Sequence, residues 1–474
     1  MRFSTSIKSS GLCAFGLLAG VSTWIGAVQE DPFFWDTVQL ASKHAHHFYE
    51  NGLLWLPLPT ELDSGHPPLL GYYLACMWRL WGKSLEVSHW SMFPFVAGVA
   101  LLLWRIGYRL SGSPWKGMGL VALAAADPVI AAQSGLVGPD IALLFFFLLA
   151  VEGLWQRRWW PVTIGVLGLC ALSLRGMMTA AGLMLWPLYA LWASKEWHWR
   201  CVIGAWAAFL PGGILAAGFL WWHRCAVGWT GFHPASPWAA AFEPVNAAGF
   251  LRNAVVLAWR WLDFGRLWEW IGLSVLLGRP GMRRQPAVKY WVALWACVIL
   301  LLSPSALLYR NLSAHRYFMP AFAALHIVFW QSWLLSRQKG LYKWGLLAAV
   351  LLGLGTGNLW IYPHGIAMGW DATLAHRPYH ALRQEAIHFI DRQGIPLSAI
   401  GTAFPNLNRG THLLLDNDDR SWAVFDPATN TYALISNIFN DVSPEDRSLL
   451  RRRGRLLWRA ERAGVWIELY DCFN

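Results

Sequence analysis

The chain has 474 residues, of which 56% are hydrophobic and only 14% charged, with a mean hydropathy of +0.36 and a formal net charge of +11. An average soluble domain carries about 25% charged residues, so a multidomain soluble enzyme is excluded, and the apolar content excludes intrinsic disorder. The positive balance does not call for nucleic acid, because Arg and Lys fall in short clusters between apolar runs, as topology signals do. The seven Cys are scattered without zinc-like spacing and read as small core hydrophobes.

A polytopic α-helical membrane protein remains. The first apolar run, Leu12–Val28, follows Arg2 and Lys8 and lacks a clear small-x-small cleavage site, so it reads as a retained span. With about 20 residues per crossing, eleven spans are expected, at 11–28, 88–106, 117–134, 139–155, 160–174, 177–194, 201–222, 265–279, 289–308, 317–335 and 343–361. Alternate connections are short and basic: Arg105, Arg109 and Lys116; Arg157 and Arg158; Lys195 and Arg200; Arg279, Arg283, Arg284 and Lys289; Arg337, Lys339 and Lys343. By the positive-inside rule these face the cytoplasm, with the N-terminus. Segments 29–87, 135–138, 175–176, 223–264, 309–316 and everything after 361 then face outward.

Composition changes near Tyr362, and thirteen of the 27 acidic residues fall within 371–474. The chain divides into a transmembrane domain, 1–361, and a small extracytoplasmic soluble α/β domain, 362–474. Helices are expected at Tyr379–Gln393 and Ser443–Arg459. Strands are expected at Ser398–Thr402, Tyr432–Ser436 and Val465–Tyr470.

Ionisable residues in or beside spans are costly and default to functional hypotheses. Most map to the outer face: Asp36, Asp127, Asp140, Arg175, Arg224, His233, Arg310, His315 and Arg316. The inner face adds only Glu152 and Glu196 to its basic loops. Acids with several Arg on one face describe a site for an anionic substrate. The first outer loop is the richest segment, with Glu30, Asp31, Asp36, Glu50, Glu61 and Asp63 before His66. Thr37–Glu50 and Pro67–Trp81 can form interfacial helices, the second with Leu69, Leu70, Tyr73, Leu74 and Met77 on its apolar side. A carboxylate at the mouth of this loop suits a general base.

The segments DPFFWDTVQLA, SGHPPLLGYYLA and GPDIALLFFFLLAVE, followed by RYFMP at Arg316–Pro320, resemble the membrane glycosyltransferases of family 39 and their bacterial relatives. These belong to the GT-C superfamily, with the protein O-mannosyltransferases and the lipid A aminoarabinose transferase. The resemblance covers roughly residues 25–340 and rests on the order and spacing of short motifs. It implies a GT-C-like fold and transfer of a hexosyl or pentosyl unit from a polyprenyl-phosphate donor to a lipid, glycan or protein acceptor, with inversion. It makes Asp36 the base, and Asp140 the second family acid, orienting the acceptor or a phosphate-binding Arg. Arg175 stands where relatives often carry Lys, and Arg316 and Tyr317 belong to the RYxxP-like segment. His66, Arg175, Arg224, Arg310, Arg316 and Tyr317 are thus the expected substrate-binding residues. The expected location is the bacterial inner membrane, with membrane lipids as surroundings and no nucleic-acid partner.

Two positions depart from the family pattern. Thr37 replaces the Glu of an Asp-Glu pair, which leaves acid function with Glu30 or Asp31 or dispenses with it. His66 replaces the Lys of KPPL, a switchable side chain where relatives have a fixed charge. No cofactor is required by the sequence. A divalent metal at His66 or His233 has no supporting ligand spacing.

Each candidate has a plainer reading. Asp36 and Asp140 suit helix N-caps, Asp127 precedes Pro128 at a kink, and Arg175 and Arg316 suit snorkelling to headgroups. His44, His46 and His47 read as solvated, Asp416, Asp418 and Asp419 as a polar turn, and Asn311-Leu-Ser as a sequon relevant only to a eukaryotic secretory route. A lipid-linked saccharide transporter or flippase, and a polysaccharide ligase or polymerase, are the competing functions. A transporter predicts repeats and broken helices near the midplane, and no repeat is present.

Overall fold

The computed structural model describes residues 2–193, 198–310, 312–337, 340–363 and 366–472. Lys195 and Lys339 of the expected inner loops, Glu196 and Asn311 lie outside the described residues. The membrane part runs through α1 (Arg2–Val28), α2 (His44–Glu50), α3 (Leu69–Trp81), α4 (Leu85–Ser91), α5 (Phe93–Ser111), α6 (Pro114–Ala126), α7 (Pro128–Gly135) and α8 (Pro139–Gln156). It continues through α9 (Trp159–Leu172), α10 (Leu174–Ala193), α11 (Trp199–Val227), α12 (Ala247–Leu262), α13 (Arg266–Leu277), α14 (Pro286–Leu308), α15 (Met319–Leu335) and α16 (Leu341–Thr356). Proline opens α6, α7, α8 and α14, where its missing N–H breaks no bond.

Seven helical segments among the described residues are long and apolar enough to cross a membrane: Lys8–Val28, Leu85–Ser111, Pro139–Gln156, Leu174–Ala193, Trp199–Val227, Pro286–Leu308 and His315–Leu335. Phe15, Ile203, Ile214 and Leu300 stand exposed on them, the kind of apolar face that lipid covers. Each of the eleven expected spans overlaps at least one helix. However, α9, α13 and α16 have 14, 12 and 16 residues, fewer than a perpendicular crossing takes. The expected span 117–134 is not one helix. It breaks into α6 and α7 with a 79° bend. Pro128 cannot donate into the helix and drives the preceding residue out of the helical region. Asp127 accordingly has φ −65° and ψ 120°, and its carboxylate caps α7 by accepting from the backbone N–H of Val129 (2.9 Å) and Ile130 (3.2 Å). Helix α12 was not expected. It buries only Asn253 and Leu257, and the Asn253 amide donates to the carbonyls of Leu307 and Tyr309.

In the first outer loop both expected helices form, the first beginning with a π-helical turn at Val38–Lys43. Their facing surfaces close on each other at Gly71, where an added Cβ would stand 2.4 Å from the Cβ of His44. The buried side of α3 carries Leu70, Leu74 and Trp78.

The tail contains α17 (Pro378–Arg392), α18 (Gly410–Leu413), α19 (Pro444–Arg453) and a five-stranded mixed sheet. Its strands are β1 (Ile400–Thr402), β2 (Ala423–Val424), β3 (Tyr432–Ser436), β4 (Arg455–Arg462) and β5 (Val465–Asp471), in the order β2-β1-β3-β5-β4. The expected helix Ser443–Arg459 stops at Arg453, and Arg455–Arg462 instead pairs antiparallel with β5. The Ala463-Gly464 turn explains this, since both residues have positive φ (49° and 79°), the twist that a two-residue hairpin needs. The tail docks on the first outer loop. Arg377 binds Asp31 through two nitrogens (2.9 and 3.2 Å), the Phe33 N–H donates to the Leu413 carbonyl, and the Ser42 hydroxyl donates to the His412 carbonyl. The Phe34 ring stacks on His376 with centroids 4.5 Å apart.

Candidate active site

Asp36 follows Trp35, which sits at φ 58°, a conformation that a bulky L-residue rarely adopts. Trp35 is held there by packing on Phe34 and Phe404. Asp36 does not cap the helix after it. Its carboxylate turns instead to the guanidinium of Arg316, in the 3₁₀ turn His315–Phe318 ahead of α15. Arg316 also reaches Asp140 at 3.5 Å and the carboxylate of Asp371, and its guanidinium lies within 3.4 Å of the Tyr317 hydroxyl. Asp140, in the first turn of α8, receives a second cation at its other oxygen, Arg175 at 2.6 Å. The Arg175 guanidinium lies 4.1 Å from the centre of the Tyr317 ring, a cation–π distance. Three carboxylates and two guanidinium groups thus form one network, drawn from the first outer loop, α8, α10, the turn before α15 and the tail.

The network borders a cavity of about 310 Å³ lined by Asp36, Ser64, His66, Arg175, Tyr309 and Tyr317 on its polar side. Leu40, Leu174, Met178, Trp238, Phe242 and Leu308 are among its apolar walls. Asp36 is the acid of the network that opens to it, with its side chain 20% exposed against 5% for Asp140 and 2% for Asp371. At His66, Nδ1 accepts from the Leu174 N–H at 3.4 Å. Burial and the adjacent Arg175 push its imidazole down to about 3, so it is neutral at physiological pH and adds no charge where a lysine would.

Six of the eight expected site residues therefore converge: Asp36, Asp140, His66, Arg175, Arg316 and Tyr317. Two do not. Arg224 is exposed and donates to the Gly228 carbonyl at its own helix end, and Arg310 forms an exposed pair with Glu243. Thr37 performs no acid role, as its hydroxyl is buried and clamps the Phe34 backbone. Asp31 is occupied by Arg377, and Glu30 is exposed. Asp371 was missed. It lies beyond the last expected span, in a segment without a motif, and only its placement in the turn Trp370–Ala372 brings it to Arg316. Its carbonyl accepts from the Gln133 side chain at 2.9 Å, which ties it to α7.

Other polar candidates have local partners. His44 contacts the Leu62 carbonyl and His46 the Ser42 carbonyl. Asp418 is bound by Arg420 in a polar turn. Among the described residues no group of three or more His, Cys, Asp or Glu is arranged to hold a metal ion. A second set of buried charges lies deeper in the bundle. Arg266 binds Asp127 through two nitrogens (2.9 and 3.1 Å), and His326 contacts Glu269 at 2.8 Å, all four residues being fully buried.

No family model matches the chain, and no curated protein matches it either. Solved structures do resemble it. ArnT from Cupriavidus metallidurans in the apo state covers 96% of this chain and 97% of its own, with a TM-score of 0.51 at 12% identity. The fold is similar to that of ArnT. A second structure, ArnT from the same organism bound to undecaprenyl phosphate, has the same coverage and identity and a TM-score of 0.49. An ArnT-like fold is what the motif resemblance implied. The likeness extends past the motif-bearing region, since a 96% share includes most of the tail.

Proposed function

We propose that this chain is an integral membrane glycosyltransferase. It moves a sugar from a polyprenyl-phosphate donor to a lipid, glycan or protein acceptor at the outer face of a bacterial inner membrane, with the tail on that side. The observation that carries the reading is Asp36, bound to Arg316, at the mouth of a largely apolar cavity with Arg175 in its wall. The ArnT-like fold and the family motifs support it.

The chemistry follows from charge. In an inverting transfer the acceptor oxygen attacks the anomeric carbon as the bond to the phosphate oxygen breaks. The hydroxyl proton passes to Asp36, and the electron pair leaves with the polyprenyl phosphate. The leaving group gains charge and needs a cation already in position. Arg175 suits this role better than Arg316. Among the described residues Arg175 has a single carboxylate partner, Asp140, and it faces the cavity, whereas Arg316 is engaged by three carboxylates and serves to position Asp36 and Asp140. Apolar walls suit the isoprenoid units next to the phosphate. Asp36→Asn protein should retain its thermal unfolding profile and lose sugar transfer from a polyprenyl-phosphate donor by about 10²–10⁴-fold, the usual contribution of a general base. Undiminished transfer would remove Asp36 as the base.

One observation favours a second reading, a transporter of lipid-linked saccharides. The 79° break between α6 and α7 carries a buried ion pair, and broken helices with intramembrane charges mark transport sites. Saccharide-lipid movement across proteoliposomes without a glycosyl acceptor separates the two.

A further inference from the structure

A second cavity, of about 770 Å³, lies at the opposite end of the bundle. Three helices connect the two ends. Helix α8 begins at Asp140 in the carboxylate network and ends against Arg157 in the second cavity, about 25 Å away at 1.5 Å per residue. Helix α14 runs from Lys289 in the second cavity to Leu308 in the first, and α15 from beside Tyr317 to Gln331. The second cavity therefore sits near the other surface of a bilayer that places Asp36 at the first.

Its lining is chemically one-sided. Arg109, Arg157, Arg284 and Lys289 contribute four cations, and among the described residues no acidic one lines it. Of these, Arg109 is shared with Glu152 at 3.5 Å and Gln156 at 2.9 Å. The wall between the cations is aromatic. Trp155 meets Trp291 edge-on at 5.1 Å, and Tyr290 packs beside Trp291 at 5.6 Å. Charges on inner loops alone would set topology and then point into water. Here they converge on a space walled by rings that favour the headgroup level. An independent observation points into the same space. Gln331 lines the cavity, is 5% exposed, and its Oε1 has no hydrogen-bond partner among the described residues. A buried acceptor without a partner is costly, and a ligand hydroxyl would satisfy it.

We propose that this cavity is a binding site for an anionic glycerophospholipid whose headgroup carries a hydroxyl. The phosphate is held by Arg284 and Lys289, and the hydroxyl donates to Gln331. The acyl chains leave along the apolar helix faces. A basic pocket between transmembrane helices is the usual form of such a site. The proposal does not depend on the reaction at Asp36.

The test uses the full-length protein in mixed micelles, with phosphatidylglycerol, phosphatidylserine, phosphatidylcholine or inorganic phosphate as probes, read by native mass spectrometry and by the shift in unfolding temperature. Phosphatidylglycerol should bind about tenfold or more tighter than phosphatidylcholine. Inorganic phosphate at millimolar concentration should give a smaller shift than the lipid. The Arg284→Gln/Lys289→Gln protein should lose the preference for the anionic lipid, while Arg284→Lys/Lys289→Arg keeps it. Gln331→Leu should remove the preference for phosphatidylglycerol over phosphatidylserine. Equal binding of phosphatidylcholine, an equal shift with free phosphate, or a preference unchanged in the Arg284→Gln/Lys289→Gln protein would each overturn the proposal.

Discussion

Arg316 is bound by Asp371, so a guanidinium at the head of a membrane helix takes one of its three carboxylates from the segment beyond α16. Both side chains are nearly fully buried, and Asp371 is further tied to α7 through Gln133. The tail is thereby part of the electrostatics around Asp36. Removing one partner of a buried pair leaves the other charge uncompensated, which costs about 3–5 kcal/mol. Arg316 keeps Asp36 and Asp140, so Asp371→Asn should cost less, about 1–3 kcal/mol. The measurement is thermal or denaturant unfolding of the purified protein. Unchanged stability together with unchanged transfer would show that Asp371 is dispensable.

Arg175 separates charge from geometry. Loss of a charged hydrogen bond costs about 1.5–3 kcal/mol, or about 10–100-fold. Arg175→Met should therefore reduce kcat/KM for the donor by about that factor or more. Arg175→Lys should recover only part of it, because an ammonium cannot make paired parallel contacts with phosphate. Steady-state kinetics with a short-chain donor checks both. Wild-type values in the Met variant would exclude a phosphate role.

The buried Asp127–Arg266 pair predicts strong non-additivity. Asp127→Asn should destabilise the protein by about 3–5 kcal/mol, since Arg266 is completely enclosed and loses its countercharge. Asp127→Leu combined with Arg266→Met should be less damaging than either single change, as replacing both members of a buried pair by apolar groups often is. Unfolding of the four proteins gives the coupling. Additive losses would show that the two residues act independently.

The docking of the tail should weaken in acid. Burial depresses His376 to about 4, and His412 of the tail, whose ring packs on His46 of the first outer loop, to about 4, from an ordinary value near 6.5. The unfolded chain then binds more protons than the folded one between these limits. The stabilisation is complete above pH 6.5 and is lost as pH falls toward 4, by about 1.4 kcal/mol per pH unit for His376 and by less for the half-buried His412, which solvent screens. Asp31, Arg377 and His380 face the same junction, and His380 is held well below its usual value, chiefly by burial. The unfolding temperature should fall from pH 7.5 to pH 5, and His376→Gln should flatten part of that slope. A flat profile in the wild-type protein would contradict the buried neutral imidazoles.

Much of this was legible in the chain. Hydropathy found the long helices, because a lipid-facing helix must be apolar along its whole length. Motif order drew attention to Asp36, Asp140, Arg175 and Arg316, which the fold brings together. The helix α17 and the strands β3 and β5 were visible as short periodic segments. Elsewhere local pattern misled. The basic run after Ser443 reads as one helix, but the hairpin at Ala463-Gly464 pulls Arg455–Arg462 into the sheet. Arg224 and Arg310 look like site residues from their position beside outer spans, yet their side chains turn to a carbonyl and to a surface carboxylate.

The sequence by itself determined that this is a multi-helix membrane protein with acids and arginines gathered toward one face. Those properties follow from composition and from the distance between charges along the chain, which burial in lipid makes restrictive. Only the tertiary structure decided which of these charges pair. An arginine can meet any carboxylate that the packing brings within reach, and nothing local marks Asp371 as the partner of Arg316 or Asp127 as the partner of Arg266. Partner choice is a property of helices and loops far apart in sequence.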